Sequence, residues 1–317
     1  MPNDSMMPVL LDSAKFRDAY LTAKGEARAE VALRTLETLW FNTGTLCNLT
    51  CRNCYIESSP LNDRLVYLTA AEVAAYLDEI QAAGHPTKTI GFTGGEPFMN
   101  RELPAMLEDV LSRGLQAMVL TNAMKPMLKM KRPLLGLLER HGQKLTLRVS
   151  VDHYSRTVHE SERGVRSWKP TIEGLVWLAR AGFAIHVAGR RFTDEAEAEV
   201  RAGYARLFAE LGVPIDAADP VALVLFPEMD ARADVPEITT ACWGILNKSP
   251  DSVMCASARM VIKRKGADRP AVVACTLLPY DPQFELGTTL ADSLGAVRLN
   301  HPHCAKFCVL GGAACSR

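Results

Sequence analysis

Net charge is missing from this chain: 36 basic side chains balance 36 acidic ones over 317 residues. Nothing in its bulk electrostatics therefore implies a nucleic-acid or anionic-membrane partner. Long apolar runs are missing as well. None reaches the length of a membrane span, and the opening Met1-Pro2-Asn3-Asp4-Ser5 has neither the basic nor the apolar part of a leader. Histidine is scarce, and none stands within the tight group Cys47-Asn-Leu-Thr-Cys51-Arg-Asn-Cys54, which argues against a structural zinc site, usually built from four Cys or His ligands in two pairs. These absences read as a cytoplasmic protein with no nucleic acid and no membrane among its partners. In that compartment nine cysteines favour metal ligation or catalysis over disulfides. One local exception to the charge balance is Lys125 to Arg132, with four cations in eight residues; a solvated helix face or a phosphate contact would each explain it.

Apolar residues make up 48% of the chain, enough for a well-buried core, and their spacing repeats one unit. Thr69-Ala-Ala-Glu72 is a capping box, followed by Val73, Tyr76, Leu77 and Ile80 at helical spacing. Gly84 supplies a left-handed stop, and Thr89–Thr93 then reads as a buried strand. The same grammar recurs through Gly114, Gly142, Gly182 and Gly212, each preceded by helically spaced leucines. Strands follow at Ala117–Leu120, Leu145–Val149, Ala184–Val187 and Val221–Phe226. The glycines lie 30, 28, 40 and 30 residues apart, the length of one βαβ unit. With Thr38–Asn42 as the first strand, this makes six β/α units: an α/β fold, a parallel sheet curled into a partial (β/α)6 TIM-like barrel. Function in such barrels sits on the loops after the strands' C-terminal ends, and the cysteine loop follows the first strand. The domain reading is an N-terminal helical segment 1–37 (Leu33, Leu36 and Leu39 spaced as one helix), a barrel 38–235 and a small cysteine-rich domain 236–317.

Three thiolates so closely spaced suit an iron–sulfur cluster with one iron lacking a protein ligand, open to a small molecule. Gly94-Gly95-Glu96-Pro97 follows the second strand directly, about 40 residues after the cysteine loop. Its glycines let the backbone approach a ligand closely; an ordinary strand-to-helix turn is the plainer reading of the tetrapeptide alone. The Cys-x3-Cys-x2-Cys spacing and the glycine motif together resemble the radical S-adenosylmethionine (SAM) superfamily, over roughly Leu39 to Glu228. That resemblance implies a [4Fe–4S] cluster on Cys47, Cys51 and Cys54, whose open iron chelates the amino and carboxylate groups of SAM. It implies SAM contacts from Gly94, Gly95, Glu96, Asn122, Ser150, Asp152 and Arg163. Asn122 stands in a Thr-Asn-Gly position, with Ala123 replacing the glycine. Ser150 is as readily a strand-end cap, and Arg163 a surface salt bridge. Relatives carry an aromatic residue just before the third cysteine to pack near adenine. Here that position is Asn53, and the aromatic Tyr55 comes just after the cysteine.

Cys242, Cys255, Cys275, Cys304, Cys308 and Cys315 lie in the last 76 residues. Met260–Gly266 and Ala271–Cys275 read as a β-hairpin with a cysteine near each end. The region resembles the auxiliary-cluster domains of radical SAM enzymes, SPASM or its shorter twitch relative, implying one auxiliary [4Fe–4S] cluster. Its firmest ligands are Cys255 and Cys275, with others drawn from Cys304, Cys308 and Cys315. A zinc ribbon is the alternative. Cys242 is read as core or a catalytic thiol, and His153, just past the fourth strand, as a side chain worth testing.

The resemblance implies an enzyme that cleaves SAM reductively to a 5′-deoxyadenosyl radical and removes hydrogen from a small metabolite or peptide, toward oxidation or bond formation. Its electron donor would be a low-potential protein such as flavodoxin or ferredoxin. The 46 residues before Cys47 are fewer than a leader-binding module needs, which favours a metabolite or a peptide delivered by a separate protein. The rival is a non-catalytic iron–sulfur carrier or SAM-binding sensor.

Overall fold

A computed structural model describes residues 10–192, 195–228, 230 and 232–312; Cys315 lies outside them. The strands are β1 Glu30–Val31, β2 Thr38–Asn42, β3 Thr89–Thr93, β4 Gln116–Thr121, β5 Leu145–Ser150, β6 Ala184–Arg191, β7 Leu223–Pro227, β8 Ala258–Ile262, β9 Ala271–Val273, β10 Glu285–Gly287 and β11 Val297–Arg298. The helices are α1 Ala70–Ala83, α2 Leu103–Ser112, α3 Lys125–Leu128, α4 Lys131–His141, α5 Arg156–Arg163, α6 Trp168–Ala181, α7 Glu197–Leu211 and the single turn α8 Cys242–Ile245.

The capping box expected before α1 forms: Thr69 accepts from Glu72 N while Glu72 accepts from Thr69 N, and Gly84 closes the helix at φ 64°. Between β2 and β7 the helices return the chain so that consecutive strands pair in parallel. The sheet has nine strands in the order β10-β9-β8-β2-β3-β4-β5-β6-β7. Alternation sets its two faces. Leu39, Phe41, Ile90, Phe92, Val119, Leu147, Val149 and Val187 point toward the helices and form one core with them. Trp40, Met118, Leu120, Phe226, Met260 and Ile262 belong to a second cluster shared with the C-terminal segment. Gly91 is required on that inner face, because a Cβ there would lie 2.2 Å from the Trp40 ring.

Two expectations change. Among the described residues 10–37 there is no helix. β1 is a short strand that pairs antiparallel with β11, and Leu39 belongs to β2. The spacing of Leu33, Leu36 and Leu39 fits a helical stripe, but Leu36 is buried by an irregular, extended stretch whose Arg34 and Glu37 amides donate to Ala256 O and Ser257 O. The expected C-terminal hairpin forms as β8–β9, yet it joins the barrel's sheet: β8 pairs in parallel with β2. The segments on either side of residue 235 thus share one sheet.

Candidate functional site

The C-terminal ends of β2 to β7, or the loops that leave them, all contribute to one cavity. It is lined by Cys47, Cys51, Cys54, Tyr55, Ile56 and Ser58 from the loop after β2, and by Thr93, Gly94 and Gly95 after β3. Leu120, Thr121 and Asn122 come from β4, Ser150, Asp152 and Arg163 from the β5–α5 region, Ala188 and Arg190 from β6, and Phe226 from β7. All the residues singled out around the first three cysteines converge here except Glu96.

The cysteine loop is shaped by the glycine turn. Gly95 N donates to Gly44 O at 2.9 Å and Glu96 N to Leu46 O at 3.1 Å. A Cβ on Gly95 would lie 2.1 Å from Leu46 O, and one on Gly94, held at φ 135°, 2.4 Å from Gly44 O. The glycines are therefore needed to seat the backbone that carries Cys47, a closer constraint than approach to a ligand. Leu49 N donates to Cys47 Sγ at 3.4 Å and Ser58 N to Cys54 Sγ at 3.3 Å. Such N–H···S bonds orient sulfurs and favour thiolate. Burial opposes them, pushing the Cys47 thiol up to about 12, with Glu96 and the neighbouring cysteines acting in the same direction. Burial raises Cys51 too, against the pull of Arg163. Thiols so disposed stay protonated unless a metal takes the proton's place.

Glu96 is a correction. It is 1% exposed and turned away from the cavity, accepting from Thr121 Oγ1 at 2.8 Å, Asn122 N at 2.9 Å and Phe98 N at 3.2 Å. Its burial raises its pKa to about 7 against those three bonds. It holds the β4 loop so that Asn122 Nδ2 reaches Asn48 Oδ1 at 3.0 Å, next to Cys47.

Asp152 and Arg163 form a buried pair across the cavity wall. Arg163 Nη2 donates to Asp152 Oδ1 at 3.0 Å, with Nε 3.0 Å from Oδ2. Arg190 Nε lies 3.6 Å from the same carboxylate. Burial alone would raise Asp152 and lower Arg163; their mutual attraction wins, leaving the carboxylate low and the guanidinium high. The surface-salt-bridge reading of Arg163 does not hold, since its side chain is 12% exposed. Sequence reasoning missed Arg190, because the fifth apolar run was read as ending at Val187 whereas the strand continues to Arg191. Arg190 Nη2 donates to Asn53 O at 3.0 Å, and Asn53 Nδ2 to Glu162 Oε2 at 2.8 Å. The residue standing in the aromatic position thus ties the cysteine loop to α5 and β6, while Tyr55 lines the cavity. His153 is buried outside it, its Nε2 on Glu195 and its Nδ1 accepting from Ser155 N.

A second, apolar cavity lies in the C-terminal segment. Cys255, Cys275, Cys304 and Cys308 all line it, among Val253, Met254, Ala274, Phe284, Val297 and Leu299. Cys304 and Cys308 are carried on one face of a π-helical turn, Cys304–Leu310, a wide turn often found at functional sites. Cys242 lies apart from both cavities, its Sγ accepting from Thr239 N.

These placements coincide with what comparison finds. The profile of the radical SAM superfamily matches residues 41–201. The chain belongs to the radical SAM superfamily. A curated relative, the antilisterial bacteriocin subtilosin biosynthesis protein AlbA of Bacillus subtilis (strain 168), is 31% identical over 143 residues, 45% of this chain and 30% of AlbA. SuiB of Streptococcus suis, solved with SAM, shares the fold at TM-score 0.56 and 12% identity, over 80% of this chain and 63% of SuiB. A second SuiB structure is bound to the precursor peptide SuiA. The anSMEcpe structure with bound AdoMet matches at TM-score 0.58 and 14% identity, covering 85% of this chain and 82% of that one. The chain therefore spans under a third of AlbA's length and under two thirds of SuiB's.

Proposed function

We propose that this radical SAM protein is an enzyme that cleaves SAM reductively and uses the resulting radical to remove hydrogen from a peptide substrate. The observation that carries this reading is the convergence of Cys47, Cys51 and Cys54 with Gly94, Gly95, Asn122, Ser150, Asp152 and Arg163 on one cavity. Cys47, Cys51 and Cys54 would hold a [4Fe–4S] cluster, which when bound would supply the one electron for reductive cleavage of SAM.

The protein's own groups then have defined tasks. Main-chain atoms of the Gly94–Gly95 turn and the Asn122 amide would hold the polar end of SAM near Cys47. Ser150 and the Asp152–Arg163–Arg190 group offer hydroxyl, carboxylate and guanidinium partners for its ribose and carboxylate. Tyr55, Ile56, Leu120, Ala188 and Phe226 give the apolar walls that exclude water from a reactive carbon radical.

The C-terminal cavity supports an auxiliary [4Fe–4S] site. Its four thiols are enclosed by apolar side chains, and burial raises Cys255 to about 11 and Cys304 well above the ordinary thiol range. Four ligands for four irons leave no open position. That donor set favours electron transfer, and hence oxidation or bond formation, over direct binding of substrate. A peptide is favoured as substrate because AlbA's described role is bacteriocin biosynthesis and SuiB has been solved with a precursor peptide; a small metabolite is the second reading. The electron would come from a low-potential donor such as flavodoxin or ferredoxin. No helix among the described residues is long and apolar enough to cross a membrane.

The test is isotope transfer. A candidate precursor peptide, deuterated at its side-chain carbons, is incubated with anaerobic protein, SAM and reductant, and deuterium is sought in 5′-deoxyadenosine. Deuterium transfer supports peptide hydrogen abstraction. 5′-Deoxyadenosine without deuterium from any peptide returns the substrate to the metabolite class, and no 5′-deoxyadenosine at all leaves the carrier or sensor reading.

A further inference from the structure

Two buried arginines of this protein each meet a carboxylate. Arg28, with a fully buried side chain, has Glu237 Oε1 at 2.6 Å, and Arg163 has Asp152. Arg259, on β8 and 0% exposed, has none among the described residues. Its guanidinium donates only to carbonyls: Nε to Ser293 O at 2.8 Å, Nη1 to Cys255 O at 2.6 Å and to Ala258 O at 2.9 Å, Nη2 to Gly295 O at 3.0 Å. Carbonyl dipoles satisfy the donors and leave the charge uncompensated. A full positive charge without a counter-ion in a buried site is costly, and arginine cannot shed its proton to escape that cost. A nearby anion would offset that cost.

The groups that could become that anion are the thiols of the second cavity. Arg259 Nη1 donates to the carbonyl of Cys255 at 2.6 Å, so its guanidinium sits against the turn that carries one of those thiols. Four thiolates around a [4Fe–4S] body carry net negative charge, and reduction adds one more. A fixed cation beside such a group stabilises its reduced form more than its oxidised form, which raises the reduction potential.

We propose that Arg259 is a positioning charge for the second cysteine cavity: its buried guanidinium balances the anionic cluster held there and makes that cluster easier to reduce. This rests on the reading of the cavity as an auxiliary-cluster site. The arginine fork, with donors shared between residues 255–258 and 293–295, fixes the charge in place beside the Cys255 turn.

The experiment uses the full-length Cys47→Ala/Cys51→Ala/Cys54→Ala protein, purified anaerobically, so that only the second site can hold a cluster. A redox titration followed by electron paramagnetic resonance reads its midpoint potential. Arg259→Gln is expected to shift the reduction equilibrium at least tenfold toward the oxidised form, about 59 mV lower for one electron, whereas Arg259→Lys stays within about threefold of the parent. A Gln variant that keeps its iron and titrates with the parent overturns the proposal, as does a Lys variant that shifts as far as Gln. Should the Gln variant lose its iron, the Lys variant decides. Iron retained at the parental potential supports the charge, and any other behaviour of the Lys variant assigns Arg259 a merely structural role and overturns it. A folded parent that holds no iron overturns the cluster reading itself, and the role of Arg259 falls with it.

Discussion

At the scale of single residues, the site depends on charges that burial would expel if they stood alone. Asp152 and Arg163 are each near-fully enclosed and hold one another ionised. Breaking such a pair from one side strands the other charge. Arg163→Ala should therefore cost on the order of 3 kcal/mol in urea unfolding, and Arg163→Ala/Asp152→Asn should recover part of it. An Arg163→Ala protein as stable as the parent would show that the pair is not what holds this wall. His159 makes a pH prediction. It is 0% exposed, its two ring nitrogens have no hydrogen-bond partner, and its ring meets Trp168 edge-on at 5.3 Å. Burial, and then Arg163, depress its pKa to about 4 from 6.5. A depressed histidine leaves stability intact above its unfolded pKa and drains it as pH falls through the folded one. His159→Leu should thus gain stability over the parent as pH falls from 6.5 to 4, on the order of 2 kcal/mol by pH 4. A constant difference across that window would mean that His159 does not titrate there.

At the scale of elements, the glycine motif and the cysteine loop are one unit. Adding a single methyl at Gly95 drives it into Leu46 O, a backbone atom that cannot swing aside. Gly95→Ala should consequently lose iron from the Cys47/Cys51/Cys54 site while iron at the second site persists, read by iron analysis of the protein and of its triple-cysteine variant. Full iron retention with only SAM affinity reduced would restore the reading that the glycines serve the ligand alone. The elements themselves were largely legible, because capping boxes, helical leucines and terminal glycines are local signals. What escaped was non-local. β1 is a strand only because Val297–Arg298 lies beside it, and no pattern within Glu30–Val31 carries that information. Likewise the hairpin around Gly266 was readable from its two short apolar runs on either side of a glycine, while its docking on β2 was not. Glu96 stood in the right motif, but motif position could not say that its carboxylate faces β4 rather than the cavity.

At the scale of the whole molecule, one sheet places two cysteine-lined cavities in a single protein. Tyr280 joins their loops: its Oη donates to Ile56 O at 2.8 Å, just past Cys54, and it lies five residues beyond Cys275. Anaerobically purified protein should hold about eight irons per chain, and the triple-cysteine variant about four, if both sites carry [4Fe–4S] clusters. Four irons with bound zinc in the parent would assign the second cavity to zinc instead. The first three cysteines, the glycine turn and the strand-end polar residues were placed from sequence because each follows a strand that its own apolar run announces. Arg190 and the unaccompanied charge of Arg259 needed the assembled sheet. The most direct measurement of the central claim is 5′-deoxyadenosine formed from SAM under strong reductant, in the parent and in the Cys47→Ala/Cys51→Ala/Cys54→Ala variant. Catalytic formation by the parent and none by the variant is the predicted result; no 5′-deoxyadenosine from an iron-replete parent, or equal amounts from both, would contradict it.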